Sequence, residues 1–523
     1  MLKRTKTLFG AEARQKLFIG METVYKAVAS TLGSRGRNAV YRRWENPLIT
    51  NDGVSIARQI LPEDDVERMG ADLIKEAAER TNENAGDGTT TATILAYSLI
   101  KYGQDFLDAH SEYSPMQLRN ELDHSLKDAL KLLSERAVLI KDDAELLKIA
   151  KISSENEDIA KLVALSVREA GETGRVVVEE SQGIRIEKEK IEGMEIEGGY
   201  MSPYFVTNPE RQESVLDNAY VLVSDKTFSV NKDILPLCEE LFKAGGTGLV
   251  IVGKDIQGEA LANMVMNNSR MKGRFLAIGV KAPRKVDFLE DLAVFCGRKE
   301  AVTGERSVRG LSMNDCVRVR KVVASKDKTL FVKGDRTDTE KSYHNVRVEE
   351  LKTVLREAKG DEKRHTEDRL ARITGSVVVI KVGAESDAEI PYLRMKIEDA
   401  VFAVKAAIAE GYVAGGGITL RDIGRQIHNT VGNGGSEVLM KACDMPSALL
   451  VTNSGAVVDN TKFNQHDGFD TDSGEYKKDL VGRGIIDPVL VEKQGLQNSV
   501  HLAGMFLTIA TVITDIPYKT DGL

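Results

Sequence analysis

The sequence predicts a multidomain chain in which helical segments from both ends flank an inserted α/β middle. Three observations predict it. Apolar residues recur at helical spacing from Met21 to Leu32, Met69 to Asn84 and Leu118 to Ala150, and again beyond Lys396. Between Gly193 and Gly375, short β-like runs alternate with amphipathic helices, the pattern of an α/β module. The length of 523 residues exceeds what one hydrophobic core supports and sets a prior of about three domains.

Composition excludes several classes. Hydrophobic residues make up 42% and charged ones 29%, a globular balance rather than a disordered one. Seventy-two Lys and Arg against 80 Asp and Glu leave a net charge of −8, so no global charge points to nucleic acid or an anionic membrane. Cys238, Cys296, Cys316 and Cys443 stand far apart with no CxxC pair, against both a disulfide framework and a zinc site. The basic start MLKRTKTLFG meets Glu12 rather than an apolar run, and Leu502 to Ile513 is too short to span a bilayer. The expected location is therefore cytoplasmic.

In chain order, the first helical runs each stop at a glycine-bearing turn. Val176 to Glu180 reads as a strand, followed by Ala219 to Asp225, Gly248 to Gly253 and Phe275 to Val280. A charged helix from Val346 to Arg372 precedes the strand SVVVIKVG and a helix from Lys396 to Glu410. Gly193 and Gly375 lie where the composition switches; they read either as hinges or as ordinary loop glycines.

The segment Ala85 to Ala92, AGDGTTTA, joins two helical runs, so Thr89, Thr90 and Thr91 open a helix behind Gly86, Asp87 and Gly88. Helix N-termini present unpaired N–H groups, and glycine lets backbone approach a phosphate. No Lys-Ser/Thr pair follows, so this is not a Walker A loop, and Asp87 is a hard oxygen ligand suited to Mg²⁺. The plain alternative is that Asp87 caps the helix. Thr31, Leu32, Gly33 and Ser34 form a second loop after a helix, which a C-cap explains equally. Asp52 lies in an NDG turn and Asp399 on a helix whose other side is apolar; γ-phosphate hydrolysis needs carboxylates that position water, whereas alone each reads as a turn or a solvated group. Ile234, Leu235, Leu237, Cys238, Leu241 and Phe242 form one apolar stripe, and Ala260, Leu261, Met264 and Val265 another. Both read as core, or, with Met266 and the aromatic residues of GGYMSPYF, as a groove for nonpolar segments.

As an ordered set, TLGSRGRN, NDGVSIAR, AGDGTTTAT, GGYMSPYF, KIEDA, EGYVAGGG and IIDP resemble the group I chaperonins, the bacterial GroEL kind, over nearly the whole chain. The resemblance implies an all-α equatorial domain (1–134 and 411–523), a small α/β intermediate domain (135–192 and 375–410) with Gly193 and Gly375 at its hinges, and an inserted α/β apical domain (193–374). It implies ATP with Mg²⁺ on Asp87, K⁺ as an optional further ion, and Asp52 and Asp399 as the catalytic carboxylates, Asp399 arriving by domain movement. Thr31 to Ser34 and Asp87 to Thr91 resemble the phosphate loops, Gly416 and Asp487 the ribose and base contacts. Tyr200, Tyr204, Phe205, Leu235, Cys238, Leu261, Val265 and Met266 match the surface that in this family binds unfolded polypeptide and the lid co-chaperonin. The implied assembly is a homo-oligomeric ring of seven. An ATP-independent holdase or scaffold is the alternative, and a small-molecule phosphohydrolase ranks last.

Several positions depart from the family pattern. Ser34 replaces a proline, Asn51 a lysine, and Phe469, Asp470, Thr471 and Asp472 stand where YNAA lies near the base, placing two new carboxylates beside a nucleotide. Gly375 is followed by Ser376 rather than glycine, the KAPGFG loop is cut to Lys281, Ala282, Pro283 and Arg284, and Gly198 replaces an arginine. Ala448 replaces the arginine of APLR, and Ser454, Gly455 and Ala456 shorten CGEEPS, so the contact between two rings is expected to be weak or absent. The sequence ends at Leu523 without a Gly-Gly-Met tail.

Overall fold

The computed structural model describes residues 5–515 apart from 44–45, 172–174, 182, 210, 272–275, 284–285, 305–306, 309, 335–336, 359, 385, 387–388 and 458–466. Phe275, Arg284 and the residues after Asp515 thus lie outside the described residues. The chain forms two compact units, one of Met1–Leu165, Gln182–Arg185 and Val382–Leu523, the other of Ser166–Ser181 and Ile186–Lys381.

The first unit is a helical bundle drawn from both chain ends. Helices Gly10–Ala29, Asp65–Ala85, Thr89–Ala109, Pro115–Arg136, Gly434–Asn453 and Val489–Leu507 pack around a core including Leu17, Met21, Leu95, Leu99, Leu439, Leu496 and Phe506. Strand Thr5–Phe9 pairs antiparallel with Thr511–Asp515, setting Thr7 opposite Ile513. That pairing satisfies backbone groups of both ends at once. Local chemistry fixes where helices start: Ser114 accepts from Gln117 N–H with Pro115 in the first turn, and Asp64 accepts from Val66 and Glu67.

The second unit contains two larger sheets. In one, Leu276–Lys281, Gly248–Gly253 and Tyr220–Val223 run parallel, with Val317–Arg318 antiparallel at the edge. Gly248–Gly253 is buried throughout, as a central parallel strand should be. The other sheet has the order Arg175–Glu180, Ser376–Val382, Glu187–Glu197, Lys328–Val332, Lys321–Ala324, Ser214–Asp217. Within it, Glu187–Glu197 pairs with Ser376–Lys381 up to Glu192 and with Lys328–Val332 from Gly193 onward. Gly193 sits at this change of partner, its N–H donating to Gly375 O at 3.1 Å. A Cβ there would lie 2.0 Å from Val377 Cγ2, so space rather than backbone angle requires glycine.

Two expected helices are each broken. Leu118 to Ala150 is divided into Pro115–Arg136 and Asp143–Ser154, because Val138 exchanges hydrogen bonds with Tyr412 and Asp142 caps a new start. Val346 to Arg372 falls into Asp338–Glu357 and Gly360–Ile373. No helix among the described residues is long and apolar enough to cross a membrane.

Candidate functional site

The first unit contains a cavity of about 640 Å³. Its wall brings together Thr31, Leu32, Gly33, Ser34, Asn51, Asp52, Asp87 to Thr91, Asp399, Gly416, Asp470, Thr471, Asp472 and Asp487, residues separated by up to several hundred positions in sequence. Asp399 already lines this cavity without any movement of the chain.

Asp87 occupies the joint between helices Asp65–Ala85 and Thr89–Ala109, flanked by Gly86 at φ 70° and Gly88 at φ 80°. These left-handed angles favour glycine, and space demands it too: a Cβ on Gly86 would strike Phe402, one on Gly88 would strike Val491. With glycine at the N-cap, the first-turn N–H groups of Thr89, Thr90 and Thr91 are left without a side-chain cap. Asp87 does not cap that helix in the ordinary way; its Oδ1 accepts from Gly88 N at 2.6 Å and its Oδ2 from Ser153 Oγ at 3.4 Å. Burial pushes its carboxyl above the ordinary range, against the pull of the Gly88 N–H and Lys396. A carboxylate costly to keep charged when empty is one that a cation relieves, which fits the hard-ligand chemistry of Mg²⁺.

Asp52 is the N-cap of helix Gly53–Gln59, accepting from Ser55 N at 2.8 Å, rather than part of a hairpin turn. Gly53 lets this helix start press against Thr89 and Thr90, since a Cβ would lie 2.7 Å from Thr90 Oγ1. Gly33, at φ 86°, sits over Leu450, where a Cβ would come within 2.4 Å. Asp487 lies on the short strand Ile486–Pro488 opposite Val413, and its carboxylate accepts from Gly416 N–H. Burial holds the Asp487 carboxyl up at about 6.

Asp470 and Asp472, the two carboxylates that depart from the family pattern, are both engaged in hydrogen bonds. Asp470 is spent within the hairpin turn, accepting from Asp472 N, Ser473 N and Ser473 Oγ. Asp472 accepts from Ser34 Oγ at 2.6 Å, Ser34 Oγ also meets Thr471 Oγ1 at 2.8 Å, and Arg35 Nη2 donates to Asp472 O at 2.8 Å. The two departures at Ser34 and Asp472 therefore touch one another.

Sequence reasoning missed Lys148, Lys151, Ser153, Glu155, Lys396, Arg483 and Glu492, all in the cavity wall. Lys396 had a signal, since three residues before Asp399 puts it on the same helix face. Its Nζ pairs with Glu155 Oε1 at 2.8 Å. The residues from Asp143–Ser154 came from a helix whose position only the fold supplies.

In the second unit, helices Asn231–Lys243 and Gly258–Arg270 frame a mainly apolar cavity of about 230 Å³, lined by Leu235, Cys238, Phe242 and Met264 among others. Tyr204 is 79% exposed, Leu235 40% and Met266 43%, while Tyr200, Cys238, Leu261 and Val265 are half-buried. Phe205 corrects the expected surface: it is fully buried in the core of the second unit and so does not face a ligand. Burial pushes the Cys238 thiol up to about 12, so it acts as a small hydrophobe.

A helical unit built from both chain ends, carrying an inserted sheet unit, is the chaperonin architecture. The chaperonin gp146 from the bacteriophage EL 2 (Pseudomonas aeruginosa), solved in presence of ATP-BeFx, shares it with a TM-score of 0.67 at 19% identity, over 98% of this chain and 99% of that one. A second crystal form of the same protein gives a TM-score of 0.63 at 19% identity with equal coverage. The model of the TCP-1/cpn60 chaperonin family matches residues 24–517, and the chain belongs to that family.

Proposed function

We propose that this chaperonin works as an ATP-driven folding ring. The observation that carries the reading is the single cavity that gathers both glycine-bearing loops with Asp52, Asp87 and Asp399. In this reading the uncapped amides of Thr89 to Thr91 and the loop Thr31 to Ser34 hold the phosphates. Asp87 holds Mg²⁺, which neutralises phosphate charge when bound, and Asp52 and Asp399 orient water. Gly416 and Asp487 hold the sugar side. Exposed Tyr204, Leu235 and Met266 with the groove beside them bind nonpolar segments of unfolded polypeptide. Gly193 and Gly375 act as the hinges by which residues 193–374 move, and nucleotide binding shifts the population of arrangements that hide or expose the groove. Head-to-tail interfaces close the subunits into a ring.

The test is ATP turnover and recovery of a denatured client by the parent and by Asp399→Ala. Turnover is expected to fall at least about a hundredfold in the variant with nucleotide still bound. Equal turnover in both would refute the role of Asp399, and client recovery without ATP would favour the holdase alternative.

A further inference from the structure

Glu492 sits in the first turn of helix Val489–Leu507, five residues after Asp487, and lines the nucleotide cavity. It is 8% exposed, and its Oε2 has no hydrogen-bond partner among the described residues. It is hydrogen-bonded to the carboxylate of Asp487, which in turn accepts from Gly416 N–H, and the charge of Asp87 also acts on it. The side chain is thus anchored at one oxygen while the second is buried and idle beside a cavity. Buried acceptors of this kind are costly and persist where a ligand satisfies them.

The ligand chemistry follows from what an idle acceptor needs, which is a donor. Nucleotide phosphates carry acceptors only, so Glu492 cannot serve them; sugar hydroxyls donate. A metal is the weaker occupant, because one oxygen of Glu492 is already engaged by Asp487. Gly495, one turn along the same helix, has only Ala92 Cβ within 4 Å of where a Cβ would be, leaving room beside Glu492. We propose that Glu492 is a specificity-determining residue which, beside Asp487, accepts a hydrogen bond from a ribose hydroxyl and so selects ribonucleotides over deoxyribonucleotides. This rests on the nucleotide reading of the cavity.

The experiment measures affinity for ATP, 2′-deoxy-ATP and 3′-deoxy-ATP by displacement of a fluorescent nucleotide from the parent, Glu492→Ala and Glu492→Gln. The parent is expected to bind ATP at least about tenfold more tightly than one of the deoxy analogues, the size of a lost hydrogen bond to a buried acceptor. Glu492→Ala loses that ratio by weakening ATP alone. Glu492→Gln keeps most of it, since its amide donates to Asp487 and its oxygen still accepts; a merely structural role would not move the ratio. An unchanged ratio in Glu492→Ala, or no discrimination by the parent that does bind ATP, overturns the inference. A parent that binds none of the three overturns the nucleotide reading beneath it.

Discussion

Ser34 and Asp472 are 438 positions apart, yet their hydrogen bond closes the loop Thr31 to Ser34 onto the hairpin Asp467–Lys478 at the wall of the cavity. Both are exposed, so the bond adds little to stability, and its effect belongs to the kinetics of that wall. Ser34→Ala and Asp472→Ala are each expected to speed nucleotide release about two- to fivefold in stopped-flow measurements, with folding stability changed by less than about 1 kcal/mol. The double variant should release no faster than the quicker single, and additive effects would show that the two residues do not act as one clasp. Asp487 gives a pH signature. Burial raises its carboxyl from 3.8 to about 6, so the empty folded protein holds that proton longer than the unfolded chain. Stability is therefore lost as pH rises between those values, and the penalty is complete above the folded value. Asp487→Asn should stabilise the nucleotide-free protein by about 1 kcal/mol near pH 7.5, discounted for its partial exposure, with the gain shrinking toward pH 4. Urea midpoints across that range check it, and a gain that grows on acidification would reverse the assignment.

At the scale of elements, Asp291 on helix Val286–Cys296 joins three helices of the second unit. It is fully buried and accepts from Arg347 Nε at 2.8 Å, Arg369 Nε at 2.6 Å and Arg369 Nη2 at 2.9 Å. Arg347 comes from Asp338–Glu357 and Arg369 from Gly360–Ile373. Removing the carboxylate leaves Arg347 to Glu350 at 3.2 Å and Arg369 to Asp287 at 3.8 Å, both far more exposed carboxylates. Asp291→Ala is expected to cost about 2–4 kcal/mol in chemical unfolding of this unit, and a loss under about 1 kcal/mol would mean that Glu350, Asp287 and water suffice for the arginines. Much of this level was legible in the sequence: Gly248–Gly253 and Val176 to Glu180 were readable because β-branched runs bounded by turns have few other uses. The break before Asp143 was not, because neither glycine nor proline marks it; a long-range pairing of Val138 with Tyr412 makes it. The cavity was legible in its loops, whose glycines and aspartates carry local signatures. It was illegible at Glu492 and Lys151, whose sequence neighbours say only that an acidic residue follows a helix start and a basic one lies within a helix.

At the scale of the whole molecule, the end of helix Gly434–Asn453 connects the cavity of the first unit to the surface expected to meet a second ring. Ser454, Gly455 and Ala456 fold back as a compact cap, their N–H groups donating to Leu450, Thr452 and Val451, with Gly455 at φ 79°. Ser454 to Val457 carry no charge, and Val457 is 88% exposed, so the cap offers an opposing ring no ion-pairing group. The same helix end reaches inward: Asn453 Nδ2 donates to Ala29 O and Leu32 O, both at 3.0 Å, and Leu450 lies beneath Gly33. Whatever displaces the loop Thr31 to Ser34 must therefore either break the Asn453 bonds or carry the cap with it. A double ring held equally with and without ATP is not expected. Native mass measurement should find single rings without nucleotide, with any pairing responsive to ATP. Asn453→Ala should abolish that response while nucleotide affinity changes less than about tenfold, because only the link between loop and cap is cut. Pairing that still follows ATP in the variant would place the coupling elsewhere, and a double ring stable in every condition would show that an apolar cap can hold two rings without charge.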